Sequence, residues 1–306
     1  MYDLVIIGGG PAASAAGVYA ARKKLNTLVL AKEFGGQSIV SPEIYNWIGS
    51  KAISGEQLSK DLTEHMRSYE DETFVVHEGE SVTEISGDTG AFTVTTDTGA
   101  TYETKSVLVA SGAKRRRLNV PGADTFEHKG LTYCATCDGP LFSGMDVAVV
   151  GGGNAGFESA AQLLAYVKSV TLLEHSDAYK ADAMTVEKVL SHKNMRGLTN
   201  VELTEVTGEG MIKGLVYKDL ATGEEHELAV QGIFVEIGTL PNTEFVASLV
   251  DRDPYGRIKV DARTQQSSRK GIWAAGDCSD GLYAQNNIAA GDAIKAVEDI
   301  YVFLNA

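Results

Sequence analysis

Cys134 and Cys137 stand two residues apart and are followed at once by Asp138 and Gly139. A C-x-x-C of this spacing lets one turn close a small disulfide ring. The adjoining carboxyl can give or take the proton that thiol–disulfide exchange requires. A structural pair of buried thiols is the blander alternative. Zinc would need a second pair of ligands, but the chain has no second C-x-x-C and its six histidines form no H-x-x-x-H. The third cysteine, Cys278 in Gly276-Asp277-Cys278, has no partner near it in sequence and reads as a packing residue.

A second chemistry is written twice. Gly8-Gly9-Gly10-Pro11-Ala12-Ala13 and Gly151-Gly152-Gly153-Asn154-Ala155-Gly156 both fit G-x-G-x-x-G/A. Such glycines allow a tight turn and close approach of backbone to a pyrophosphate, and the helix that follows offers free N–H groups to the anion. One match alone could be only a glycine turn. Two matches imply two dinucleotide-like ligands. After the second motif, Glu174 lies near the spacing of an acid that accepts a hydrogen bond from a ribose 2′-hydroxyl and repels a 2′-phosphate. Residues 175–180 add little positive charge, so this site favours NADH over NADPH. The alternative is a carboxylate that merely ends a strand in solvent. The first copy has no acid at the matching position: Thr27 to Leu30 runs into Ala31, with Glu33 two residues on and a further backbone-approach loop at Gly35-Gly36-Gln37.

The elements that must position these residues follow from the pattern. Tyr2 to Ile7 and Asp146 to Val150 read as strands. Each leads through its glycines into a helix, the first to Arg22 and the second to about Val167. Ser169 to Leu173 is a further buried strand. Segments 72–110 and 200–237 are strand-rich. The fold class is therefore α/β, with Rossmann-like βαβ units.

Length and charge bound the rest. The chain has 306 residues, enough for about two domains. Lys plus Arg number 27 against 41 Asp plus Glu, a formal net charge of −14. That balance argues against nucleic acid and against an anionic lipid surface. Apolar residues at 43% and charged residues at 22% are ordinary for a globular chain. No basic leader opens the sequence, and no run approaches the roughly 18 apolar residues of a membrane span. A cytoplasmic protein is expected.

Together these segments resemble the low-molecular-weight thioredoxin reductase family of two-domain FAD/NAD(P)H disulfide oxidoreductases. The likeness covers essentially the whole chain. It is carried by Gly8 to Ala12, Gly35-Gly36-Gln37, Val107 to Gly112, Cys134 to Gly139, Gly151 to Gly156 and Gly271 to Asp277. Within the family the chain looks most like the flavoprotein component of alkyl hydroperoxide reductases, through Cys137 to Phe142, Val170 to Glu174, and Gly232 to Gly238 with Pro241-Asn242-Thr243. That component carries an extra N-terminal thioredoxin-like domain. This chain starts at the FAD strand, so the electron acceptor is expected to be a separate protein.

The resemblance implies two Rossmann-like three-layer domains, the second inserted in the first. Residues 1–114 plus 242–306 would bind FAD. Residues 115–241 would bind NAD(P)H and carry the redox C-x-x-C. Matching FAD positions are Gly8, Gly10, Pro11, Ala12, Gly36, Gln37, Asn46, Val82, Ala110, Gly112, Asp277, Gln285 and Asn286. Those of the second site are Gly151, Gly153, Asn154, Ala155, Glu174 and Gly238. Ala284 stands where relatives have Arg or Lys. Arg115, Arg116 and Arg117 form a basic cluster at the expected hinge, read as a solvated charge run. The resemblance also implies domain rotation between two states, catalysis by Cys134, Cys137 and Asp138, a thioredoxin-like, glutaredoxin-like or peroxiredoxin-coupling carrier as partner, and a homodimer. A flavin-dependent dithiol oxidase and a ferredoxin-driven reductase of the same fold are the alternatives.

Overall fold

The computed structural model describes residues 1–41 and 44–306. In chain order the elements are β1 (Tyr2–Ile7), α1 (Pro11–Arg22), β2 (Thr27–Ala31), α2 (Gly55–Arg67), β3 (Phe74–Glu78), β4 (Val82–Asp88), β5 (Ala91–Thr96) and β6 (Thr101–Val109). There follow β7 (Ala113–Arg115), α3 (Ala123–Phe126), β8 (Leu131–Thr132), α4 (Ala135–Asp138), β9 (Asp146–Val150), α5 (Asn154–Leu163), β10 (Ser169–Leu173), α6 (Ala183–Leu190) and β11 (Met195–Leu198). The last are β12 (Val201–Glu209), β13 (Met211–Asp219), β14 (Glu225–Ala229), β15 (Gly232–Val235), β16 (Thr239–Pro241), β17 (Ile272–Ala274) and α7 (Asn286–Asn305). The chain forms two compact units, Met1–Lys114 with Leu240–Ala306, and Arg115–Thr239.

The first unit is built on the sheet β3-β2-β1-β6-β5-β4, with β17 also paired to β6. β1, β2, β3, β6 and β17 run parallel, while β5 adds antiparallel to β6 and β4 antiparallel to β5. All five residues of β2 are buried, the unbroken apolar run expected of a parallel strand covered on both faces. On α1, Ala12, Ala13, Ala16 and Ala20 are buried, and on α7 so are Ala289, Ala293 and Ala296. These stripes recur every three or four residues and join one core cluster, so methyl-sized side chains let the two helices pack closely. α2 starts where the Ser54 hydroxyl accepts the Gln57 N–H, an ordinary N-cap.

The second unit holds a parallel sheet in the order β11-β10-β9-β15-β8 and a separate antiparallel sheet β12-β13-β14. Chain order reverses between β9 and β15. That is the switch point of a doubly wound sheet, where ligands bind at the carboxyl ends of the strands. α5 ends at Leu163 rather than near Val167. The N–H groups of Ala165 and Tyr166 bond the Gln162 and Leu163 carbonyls three residues back, which tightens the last turn and closes the helix.

Candidate active site

The two cysteines of the C-x-x-C are joined. Cys134 and Cys137 form a disulfide with their Cα atoms 5.3 Å apart. Cys134 caps α4, and the Cys137 N–H donates to its sulfur at 3.1 Å. Both cysteines are half-buried. The Asp138 carboxylate accepts a hydrogen bond from the Thr132 hydroxyl. Burial pushes the Asp138 carboxyl above its ordinary range. The Thr132 bond and the charges of Arg115 and His128 oppose that shift without cancelling it. The site therefore pairs a reducible bond with a neighbouring acid that holds its proton more tightly than an exposed carboxyl does. Cys278 is fully buried, and its S–H donates to the Val109 carbonyl. Burial pushes its thiol up to about 11, so it is inert packing.

The second glycine turn sits on the same sheet edge. Gly151 has φ +117°, and a Cβ there would collide with the Glu236 carbonyl; only glycine fits. Gly153 caps α5 and has open space where a Cβ would project. Asn154 and Ala155 form the exposed first turn of that helix, and the Asn154 amide oxygen accepts the Asp182 N–H at 2.9 Å. Glu174 ends β10 but does not stand in solvent. It is 7% exposed, and its two oxygens accept the Gly152 N–H at 2.6 Å and the Ser176 N–H at 2.8 Å. Burial raises its pKa, but those bonds outweigh it and hold the carboxyl below its ordinary range. A carboxylate oxygen has two lone pairs, so Oε2, which takes the Gly152 N–H, can also accept a ribose hydroxyl. Gly238 has φ +96°, and its carbonyl accepts the Arg116 N–H at 3.1 Å.

In the first unit, Gly8 has φ +136°, and a Cβ there would collide with the Ala110 carbonyl. Gly10 caps α1 with Pro11 in its first turn. The Gly36 loop packs back-to-back on it, 3.7 Å from where a Gly10 Cβ would stand. Ala12 is buried under Gly276. Five of the expected residues converge in side-chain pairs. The Gln37 amide donates to Asp277 at 3.4 Å and the Asn46 amide to Gln285 at 3.0 Å, while Asn286 accepts the Ser38 hydroxyl at 2.9 Å. The Gly112 carbonyl accepts the Asn242 N–H. Val82 lies apart from these contacts, at the start of β4, paired with Thr96.

Several members of these sites carried no mark in the sequence beyond a polar residue in an apolar stretch. Thr132 is the hydroxyl inside Leu131-Thr132-Tyr133. Glu236 interrupts Ile233-Phe234-Val235 and Ile237, and its carboxylate accepts the Ser159 hydroxyl at 2.7 Å. Asn287, whose amide donates to the Asn46 carbonyl at 2.8 Å, is the second half of an Asn doublet. All three arginines of the run are exposed, as a solvated charge run requires, and two of them also have neighbours. Arg115 lies 5.9 Å from the Tyr133 ring centre and Arg117 is 3.5 Å from the Glu127 carboxylate. A planar guanidinium beside an aromatic gains contact that solvent alone does not offer. Among the described residues no group of His, Cys, Asp and Glu could hold a metal ion, and no helix is long and apolar enough to cross a membrane.

Known proteins share this arrangement. The thioredoxin reductase of Streptococcus pyogenes superposes with a TM-score of 0.90 at 31% identity, over 100% of this chain and 98% of that one. The thioredoxin reductase of Giardia duodenalis gives 0.92 at 29% identity, over 100% and 99%. An alkyl hydroperoxide reductase subunit of Escherichia coli is 40% identical over 304 residues, 99% of this chain but 58% of the relative. The NADH dehydrogenase of Bacillus subtilis is 38% identical over 303 residues, with the same two shares. The chain thus spans little more than half the length of these curated relatives. The model of the pyridine nucleotide-disulphide oxidoreductases matches residues 2–293. With two glycine turns, a disulfide and an acid beside it, the chain belongs to the pyridine nucleotide-disulphide oxidoreductase family.

Proposed function

We propose that this chain passes electrons from NADH, less readily from NADPH, through FAD and the Cys134–Cys137 disulfide to a thioredoxin- or glutaredoxin-like carrier protein. The observation that carries this reading is the disulfide with Asp138 beside it, on the sheet edge that also carries the second glycine turn. The first unit fits the FAD pyrophosphate. Its Gly8 turn tolerates no side chain, and the N–H groups of α1 open beside the Gly36 loop. Gln37, Asn46, Asp277, Gln285 and Asn286 would hold the remainder of that cofactor, which when bound accepts a hydride and returns an electron pair to the disulfide. Ala284 offers no charged contact there. The second unit fits a nicotinamide dinucleotide, with its pyrophosphate on α5 and Glu174 on the adenosine ribose.

Reducing the disulfide to a Cys137 thiol and a Cys134 thiolate takes two electrons and one proton. Asp138 supplies one proton from its raised carboxyl. Cys134 is the attacking thiolate, because the Cys137 N–H already points at its sulfur and favours the charged form. Cys134 forms a mixed disulfide with the carrier and releases the carrier's first thiol. Cys137 then attacks Cys134, releases the second and restores the Cys134–Cys137 bond. The partner class, the preference for NADH, a cytoplasmic location and a homodimer belong to the same proposal.

Anaerobic titration with NADH and NADPH in turn, followed by a panel of oxidised carriers, tests it. NADH is expected to bleach the flavin at lower concentration than NADPH, and a carrier is expected to restore the colour. Bleaching by neither nucleotide would instead point to a dithiol oxidase or a ferredoxin-driven reductase. Cys134→Ser and Cys137→Ser variants that reduced the carrier at the wild-type rate would sink the dithiol route.

A further inference from the structure

One carboxyl on the working edge of the second unit has no part in the chemistry so far. β15 lies between β9, which leads into the Gly151 turn, and β8, which leads into Cys134. Val235 pairs with Val150, so Glu236 comes level with Gly151, and the Glu236 N–H bonds the Val150 carbonyl at 2.8 Å. On the other side Phe234 pairs with Thr132. Two residues further along both strands, Glu236 and Cys134 leave the edge together. Glu236 thus sits at the switch point of the sheet, on the opposite side of the glycine turn from Glu174. If Glu174 marks the adenosine half of a bound dinucleotide, Glu236 stands on the nicotinamide half.

Its side chain is held for such a task. The Ser159 hydroxyl, on the second turn of α5, donates to Oε1 at 2.7 Å. Among the described residues no hydrogen bond reaches Oε2. We propose that Glu236 is a specificity-determining residue for the nicotinamide half of the dinucleotide, its Oε2 accepting a hydrogen bond from a donor there, a ribose hydroxyl or the carboxamide N–H.

The surroundings of the carboxyl are mixed. Burial pushes the Glu236 carboxyl up, Glu158 on α5 adds to that shift, and the Ser159 bond and Arg115 on β7 oppose it. Glu236 is half-buried, so Oε2 stays within reach of a ligand donor that would replace solvent there. The inference rests on the reading of the second unit as a nicotinamide dinucleotide site.

The experiment uses the full chain loaded with FAD and measures binding calorimetrically with NAD⁺, ADP-ribose and ADP. Wild type is expected to bind all three. Glu236→Ala is expected to weaken NAD⁺ about tenfold and leave ADP unchanged. Glu236→Gln keeps the shape and the Ser159 bond but turns an N–H₂ toward the ligand donor, so it is expected to weaken NAD⁺ as well. It answers the question even if the alanine variant does not fold. An equal loss for ADP-ribose assigns the donor to the ribose; a loss confined to NAD⁺ assigns it to the carboxamide. Unchanged NAD⁺ affinity in both variants, or an equal fall for all three ligands, would overturn the proposal. Wild type that bound none of the three would overturn the dinucleotide reading itself, and this inference with it.

Discussion

Asp138 and Glu174 are both acids of the second unit, yet their surroundings drive them apart. Burial outweighs the partners of Asp138 and raises its carboxyl, whereas backbone N–H bonds outweigh burial at Glu174 and lower its own. Opposed shifts of this kind mark an acid and a fixed charge as different tools. For Asp138 the folded value lies above the unfolded one. Its contribution to stability is complete below the ordinary carboxylate value and is lost as pH rises through the folded value. Asp138→Asn should therefore gain in stability relative to wild type as pH rises, by roughly 2 °C in Tm for each kcal/mol relieved, while carrier reduction slows by about a hundredfold. Stopped-flow turnover and thermal melts across pH 4–9 check both. For Glu174 the sign is reversed: its contribution is present above the unfolded value and lost as pH falls through the folded one. Glu174→Gln should cost about 1.5–3 kcal/mol at neutral pH, a deficit that urea unfolding should show shrinking in acid. As candidates, Cys134, Cys137, Asp138 and Glu174 were legible because their spacing alone points to a chemistry. Thr132 and Ser159 were not, because a single hydroxyl acquires a role only when the fold brings a carboxyl to it from another element.

At the level of elements, the two glycines of the second turn separate what the fold needs from what a ligand needs. Gly151 is left-handed and pressed against the Glu236 carbonyl, whereas Gly153 has ordinary φ −86° and free space. Gly151→Ala should destabilise the second unit by about 2 kcal/mol or more. Gly153→Ala should melt like wild type yet bind NAD⁺ at least tenfold more weakly, because its methyl enters the space a pyrophosphate would take. Circular dichroism melts and calorimetric titration separate the two outcomes. The strand–turn–helix units were legible because parallel strands covered on both faces read as apolar runs. The end of α5 was not. Leu164 to Val167 continue the apolar pattern, and only the tightened carbonyl pairing of the last turn stops the helix there. The pairing of Asn46 with Gln285 and of Ser38 with Asn286 joins segments over 200 residues apart, a distance over which no local periodicity reports.

Across the whole chain, two units with separate hydrophobic clusters should unfold as two events rather than one. Differential scanning calorimetry of the apo protein should resolve two transitions. FAD should raise one and NAD⁺ the other, each by an amount equivalent to about 2.7 kcal/mol at a hundred times its Kd. A single transition raised by both ligands would show that the units are coupled. The division also orders events during synthesis. Residues 115–239 leave the ribosome as one uninterrupted run, so everything the second unit needs is present at once. The first unit has only β1 to β6 by then. Strand β17, which pairs with β6, and the alanine stripe of α7 that covers α1, come last. The inserted body can therefore finish folding while its host still exposes the apolar face of α1, and that waiting face is where a holding chaperone would find this chain.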